Sequence, residues 1–192
     1  MAANKRAFLL LAILLGSCAQ NQPIPIEPLL PTVGTVILNR SIAAPPVSEL
    51  LDIGVRVFAN PLSDEETVVF GELAFDEIRN NETHYLPFLL RNTLIDANHW
   101  GAVRVLPQED PSMDLLISGS VIRSDGQRLE LHIDVKDSTG REWLSKDYAD
   151  ITAEEDFPAS TRYTPGNRFD EGSFVDPFQD LYDQINNDLD RK

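Results

Sequence analysis

Residues 114–150 read DLLISGSVIRSDGQRLELHIDVKDSTGREWLSKDYAD, and this stretch decides the fold. In its middle, apolar residues (Leu129, Leu131, Ile133 and Val135) alternate with charged or polar ones (Glu130, His132, Asp134 and Lys136). A period of two is typical of a strand with one buried side and one solvent-facing side. We therefore expect Leu131 to face a core and Glu130 to face solvent.

Two turn signals divide this stretch into three strands. Asp125-Gly126 stands between two apolar runs and predicts a tight hairpin, in which a type I′ turn would need a positive φ at both residues. Ser138-Thr139-Gly140 closes a second hairpin, with Gly140 able to adopt a left-handed conformation. The stretch therefore predicts a three-strand antiparallel meander, and the rest of the chain must cover one of its faces.

The sequence before the meander predicts two further strands and a helix. Residues 53–58 alternate as a first strand, and residues 102–106 form a short strand that ends at Pro107. Between them, Ser63 and the acidic residues after it predict a helix start. Apolar residues then recur at helical spacing at Ile78, Tyr85, Leu86, Leu89, Leu90, Thr93, Leu94 and Ala97. Pro87 predicts either a kink or a helix that restarts with this residue in its first turn.

A final helix completes the predicted fold. It follows Asp176-Pro177 and carries an apolar face made of Phe178, Leu181, Tyr182, Ile185 and Leu189. The fold class is therefore α/β (α+β), with a single mixed β-sheet that includes the three-strand antiparallel meander. Two main helices cover the sheet, and the element order is β-α-β-β-β-β-α.

The amino terminus resembles that of a bacterial lipoprotein. Lys5 and Arg6 precede an apolar run at positions 7–15, which is shorter than the ~20 residues that a membrane-spanning helix needs. The segment Leu15-Gly16-Ser17-Cys18 resembles a lipobox, whose cysteine receives the lipid; the alternative is an ordinary signal peptide that contains a cysteine. We expect residues 1–17 to be the lipoprotein signal peptide and Cys18 to be lipidated, with two or three acyl chains holding the protein to the membrane.

The cysteine count and the next segment agree with this expectation. Cys18 is the only cysteine of the chain, so no internal disulfide can form. Prolines are frequent up to position 46, which predicts a Pro-rich tether over residues 18–47 and a periplasmic domain over residues 48–192. Within the tether, residues 33–38 alternate and could add a short strand. By resemblance to lipoproteins, Ala19 favours release to the outer membrane, with the domain on its periplasmic face.

Charge and motif content exclude several functional classes. The formal net charge of −15 repels phosphate backbones, so we expect no nucleic-acid binding. The three histidines show no metal-ligand spacing, and no phosphate-binding glycine motif or nucleophile elbow occurs. The sequence therefore predicts no enzymatic activity and no cofactor. Acidic clusters such as Glu65-Glu66 are interpreted as solvated loop charge.

The order of elements, with the steps "Trp-Gly-Ala-Val-Arg-Val-Leu-Pro" and "Asp-Leu-Leu-Ile-Ser-Gly-Ser-Val", resembles periplasmic domains of envelope lipoproteins. Similar domains are the amino-terminal domain of the Tol propeller protein, the lipoprotein activators of penicillin-binding proteins, and the curli and exopolysaccharide secretion lipoproteins. Uncharacterised proteobacterial lipoproteins with "Asp-Pro-Phe-Gln-Asp-Leu-Tyr" also resemble the chain. The resemblance implies protein binding in the periplasm.

The leading functional hypothesis is accordingly a non-enzymatic, membrane-anchored adaptor or assembly factor that binds other envelope proteins. The acidic segment 151–175 is the predicted binding surface, because it carries aromatic side chains that could act as anchors. These are Phe157, Tyr163, Phe169 and Phe174. The alternative is an envelope polysaccharide-binding module or hydrolase that uses acidic loop residues, for which Trp143 is the candidate sugar-binding ring.

Overall fold

The protein folds around one β-sheet, and its computed structural model describes residues 29–60, 76–110, 112–152 and 175–192, with side chains from Asn80 onward in the first helix. The strands are β1 (Ile53–Arg56), β2 (Val103–Leu106), β3 (Leu115–Ser124), β4 (Arg128–Asp137) and β5 (Glu142–Ile151). The helices are α1 (Asp76–Asp96) and α2 (Gln179–Leu189), and a single 3₁₀ turn covers Val47–Glu49.

The sheet is mixed, as the sequence predicts. Its strand order is β2-β1-β3-β4-β5, in which β1 runs parallel to β2 and to β3 while β3, β4 and β5 form the antiparallel meander. Helix α1 packs on β1, β2 and β3, and α2 packs on β5 and against α1. The predicted fold class of one mixed sheet covered by two helices is confirmed.

The core lies between the helices and one face of the sheet. Strand residues that share a register position also share a face, so one apolar row crosses the sheet from Val105 through Val55, Ile117 and Val135 to Leu144. Leu131 has no exposed surface, and its predicted inward direction is confirmed. The helices contribute Leu86, Leu90 and Leu94 from α1 and Leu181, Tyr182, Ile185 and Leu189 from α2.

Both predicted hairpins form, but the first uses a different turn. Gly126 and Gly140 have φ of 80° and 85°, whereas Asn98 is the single non-glycine residue with positive φ among the described residues. The expected type I′ conformation at Asp125 is therefore wrong. The Asp125 carboxylate instead accepts the backbone N–H groups of Gln127 and Arg128, which closes the loop without a left-handed aspartate.

The second hairpin is closed by a carboxylate in the same way. Asp137 accepts hydrogen bonds from the hydroxyl of Thr139 and from the backbone N–H groups of Thr139 and Arg141. The Thr139 hydroxyl makes the largest contribution, and together these donors lower the pKa of Asp137 to about 2. Both ends of β4 are thus fixed by an aspartate at the start of a turn.

Helix α1 runs through Pro87 without ending, so the alternative of a restart at this residue is wrong. Proline lacks the N–H that would bond to the carbonyl four residues earlier, which here belongs to Thr83. The backbone N–H of Phe58 donates to that carbonyl at 3.0 Å. Phe58, two residues after the end of β1, therefore satisfies the acceptor that Pro87 leaves free, and it joins the core with 3% of its surface exposed.

The prediction that Glu130 faces solvent is wrong. Glu130 lies on the polar face of β4, yet only 7% of its surface is exposed. Its Oε1 accepts a hydrogen bond from Nε of Arg128, whose Nη2 donates to the backbone carbonyl of Leu30. The amino-terminal segment around Leu30 therefore covers this end of the outer face of the sheet. The alternation of residues within one strand does not reveal that another segment covers its polar face.

The amino-terminal segment is a second correction. Residues 33–41, which we call the strap, lie within the predicted tether but are bonded to the folded body. No strand is assigned to the strap, although Val33 donates to the carbonyl of Ala149 on β5 at 2.9 Å. The folded unit therefore begins before the predicted boundary at Ser48. The predicted helix start at Ser63 lies outside the described residues.

Candidate functional site

Several predicted functional residues lie outside the part of the chain that the structure describes. They are the lipidation residue Cys18 and the aromatic residues Phe157, Tyr163, Phe169 and Phe174. Their roles remain predictions. Trp143 is described: it is partly buried, packs against the core, and donates from Nε1 to Asp137 Oδ2 at 3.2 Å.

The strap is held chiefly by side chains of α2, and Asn187 makes the most specific contact. Its Oδ1 accepts the backbone N–H of Asn39 at 2.7 Å, and its Nδ2 donates to the carbonyl of Ile37 at 2.8 Å. One amide group therefore satisfies a donor and an acceptor of the same extended segment. These bonds involve only backbone atoms of the strap, so they place no demand on its side chains.

A second contact between α2 and the strap lies one matching interval away from the contact made by Asn187. Asp180 Oδ1 accepts the backbone N–H of Val36 at 2.9 Å. The seven-residue step from Asp180 to Asn187 rises ~10 Å along α2, and the three-residue step from Val36 to Asn39 spans ~10 Å in extended chain. The two distances match, so two side chains on the same side of α2 can accept backbone N–H groups of the strap that are three residues apart.

The ends of the strap are fixed by other elements. At its start, Val33 bonds to β5 as described above. At its end, the backbone N–H of Ser41 donates to the carbonyl of Ala97 at 2.9 Å, and Nδ2 of Asn98 donates to the carbonyl of Ser41 at the same distance. The strap therefore follows α2 from its first turn to its last and finishes at the carboxyl end of α1.

Asn186 connects the strap to polar groups of the body, because its Nδ2 donates to the carbonyl of Asn39 at 3.5 Å. Nε1 of Trp100 donates to Oδ1 of the fully buried Asn186 at 2.9 Å, and the ring of Trp100 lies 4.7 Å from that of His99. We call the strip formed by Asp180, Asn186, Asn187, Trp100 and Asn98 the strap groove. Sequence reasoning missed it, although Asn186-Asn187 within an otherwise apolar-faced helix was a usable signal.

A second polar cluster lies on the face of the sheet away from the helices. The ring of His132 stands between two carboxylates, with Nδ1 2.5 Å from Asp147 Oδ1 and Nε2 3.2 Å from Asp134 Oδ2. The hydrogen bond to Asp147 and the charge of Asp134 raise the pKa of His132, against the opposing effect of partial burial. The sequence placed His132 on this polar side of β4.

The geometry of this cluster favours a charged pairing over acid–base catalysis. Each ring nitrogen faces a carboxylate, and this arrangement stabilises the imidazolium form, in which both nitrogens donate. Ser120 lies opposite His132 in the register, but neither ring nitrogen is left to accept a proton from a hydroxyl. The cluster is therefore suited to holding a positive charge within an acidic protein.

The outer face of α1 carries apolar side chains in solvent. Tyr85, Phe88 and Ile95 are 49%, 47% and 44% exposed, and the spacing of seven between Phe88 and Ile95 puts them on one side of the helix. The guanidinium of Arg91 lies 5.9 Å from the centroid of the Phe88 ring. A helix that presents aromatic and aliphatic side chains beside an arginine has the composition of a protein-binding surface.

Neither helix in the described ranges is long and apolar enough to cross a bilayer. Within the same ranges, no group of three or more histidine, cysteine or acidic residues is placed to hold a metal ion. Comparison with protein-family models gives no match, and comparison with curated proteins gives none either.

Among solved structures, the chain is similar to a dodecamer of a PelC variant from Paraburkholderia phytofirmans. The two are 17% identical, with a TM-score of 0.38, and the match covers 54% of this chain and 72% of the PelC chain. Likeness of this degree indicates neither a shared fold nor a shared function.

Proposed function

We propose that the protein is a lipoprotein, anchored through Cys18 at the periplasmic face of the outer membrane, that acts as a non-enzymatic adaptor or assembly factor for other envelope proteins. The lipobox-like leader supports the anchor and the location. The exposed apolar face of α1 carries the binding role, because solvent-exposed aromatic side chains on a rigid helix are typical of protein-docking sites.

The charge of the protein narrows the kind of partner. Loss of Lys5 and Arg6 with the signal peptide takes the formal net charge from −15 to −17 (−15 minus 2). A partner surface that docks on α1 must approach this negative field, so a basic or neutral protein surface is favoured over an acidic one. Nucleic acid and anionic lipid surfaces are disfavoured for the same reason.

The anchor is tested by Cys18→Ala. We expect this variant to remain unprocessed or soluble and to incorporate no fatty-acid label, whereas the natural chain is labelled and sediments with the outer membrane. Unchanged membrane fractionation and labelling of Cys18→Ala would refute lipidation at this residue.

The adaptor role is tested by cross-linking in living cells. A photo-reactive residue at Phe88 should give a discrete protein adduct, and the same residue at the exposed hairpin position Arg141 serves as the control. A further position at Tyr163 tests the predicted aromatic loop. The adduct at Phe88 should disappear when Ile95→Ser is added on the same helix face.

The same experiment separates the polysaccharide-binding alternative from the adaptor. That alternative requires saturable glycan binding that is lost in Trp143→Ala, with no protein adduct at Phe88. Since Trp143 is partly buried and bonded to Asp137, the stability of Trp143→Ala must be measured alongside its binding.

A further inference from the structure

We propose that the strap groove is an exchangeable polypeptide-binding site that can take the strap of a second copy of this chain in place of its own. The groove binds the backbone of residues 36–39 through Asp180 and Asn187. A second copy carries the same strap, so every hydrogen bond formed within one molecule can form identically between two. This is the geometric condition for exchange of a chain segment between copies.

The strap contributes only partial apolar burial. Its residue Val33 packs half-buried against the core, none of its nine residues is fully buried, and Ile37 is 86% exposed. Its attachment rests on hydrogen bonds to side chains and to free backbone groups, each of which water can replace when the strap leaves. The strap is therefore held more weakly than the strands of the sheet and can detach without unfolding the core.

The connection from the strap to β1 is long enough to permit exchange. Residues 42–50 join them, and none of these residues is buried. The backbone hydrogen bonds that Glu49 and Leu50 donate are local ones, to Pro46 and Val47. Pro45-Pro46 favours an extended conformation in this connection and opposes its folding back on itself.

Proline substitutions separate the strap from the groove in the experiment. The double variant Val36→Pro, Asn39→Pro lacks the two backbone N–H groups that donate to Asp180 and Asn187. The side chains of the groove are unchanged in this variant. Full-length chain with this vacated groove, in detergent, should bind a fluorescent peptide of natural residues 31–43 in an anisotropy assay. A peptide carrying the same two prolines is the control, and Asn187→Ala in the vacated chain should weaken binding by at least about tenfold.

Exchange between copies is tested with two complementary full-length variants. The proline variant supplies a vacant groove, and Asn187→Ala supplies a natural strap with an impaired groove. Mixed in detergent with different isotope labels, they should form a heterodimer by native mass spectrometry, whereas each variant alone should remain predominantly monomeric. Absence of the heterodimer, or equal binding of the natural and proline peptides, would overturn the proposal.

A measurement on the natural chain covers the case in which the proline variant does not fold. A detachable strap requires the amides of Val36 and Asn39 to exchange with deuterium at least about 100-fold faster than the ladder amides of β4. Equal protection of the two sets would show that the strap cannot leave, which would overturn exchange. The proposal does not depend on the adaptor role, because these assays contain no envelope partner.

Discussion

Removal of the Glu130 carboxylate should destabilise the protein strongly, because this group forms a nearly buried ion pair. The side chains of Arg128 and Glu130 are 10% and 9% exposed, and Nε of the arginine donates to Oε1 of the glutamate. Loss of one partner leaves the other charge poorly solvated and unpaired, which typically costs ~3–5 kcal/mol. Total stabilities of natural domains are ~5–15 kcal/mol, so Glu130→Ala should lose a large part of the total.

Urea unfolding followed by circular dichroism provides the assay. The free energy of unfolding of Glu130→Ala should fall by about 3–5 kcal/mol relative to the natural chain. Lys136→Ala is the matched control, since it lies on the same strand and the same side but is exposed. Its free energy of unfolding should change by less than about 0.5 kcal/mol.

A double variant separates the buried charge from simple loss of contacts. In Arg128→Met with Glu130→Met neither charge remains, so most of the stability lost in Glu130→Ala should return. The reasoning is refuted if Glu130→Ala is as stable as Lys136→Ala. Arg128→Met and Glu130→Met are also measured singly, and the reasoning is refuted as well if the double variant loses the sum of these two single losses, because the pair would then carry no coupling.

Two further outcomes are expected from other positions of β4. Leu131→Asp should abolish the folded circular-dichroism signal, because it buries a charge at a fully covered position, and a folded Leu131→Asp would contradict the assigned core face. The raised pKa of His132 should make a stability contribution that is complete below its ordinary value near 6.5 and is lost as pH rises through the folded-state pKa. NMR titration should show this pKa falling in Asp147→Asn, and an unchanged value would exclude Asp147 as its cause.

The sheet could be predicted from the sequence because its information is local. The alternation of residues 129–136 and the glycines at 126 and 140 act over neighbouring residues, and the structure places them as expected. The burial of Glu130 could not be predicted, since Arg128 also bonds to Leu30, which is 98 residues away. The alternation in a strand shows which of its two faces is apolar, but it does not show whether another segment of the chain covers the polar face.

The strap groove was missed for a related reason. The alternation of residues 33–38 suggested a strand, but the strap is bound to side chains of α2 through its backbone, which is the same for most residue types. Asp180 and Asn187 look like the solvated face of an amphipathic helix when only their polarity is considered. Their separation by seven residues indicates a binding site only when an extended segment lies beside the helix, because seven helical residues and three extended residues cover the same distance of ~10 Å.

The strap also determines how far the domain can stand from its anchor. With Cys18 lipidated as proposed and Leu30 held by Arg128, the distance from the anchor to the body cannot exceed the fully extended length of residues 18–29, which is ~40 Å. Release of the chain up to position 47 would extend this limit to ~100 Å. A strap that can leave its groove would therefore change the distance at which the exposed face of α1 is presented to other envelope proteins, and it would free the groove of one copy for the strap of another.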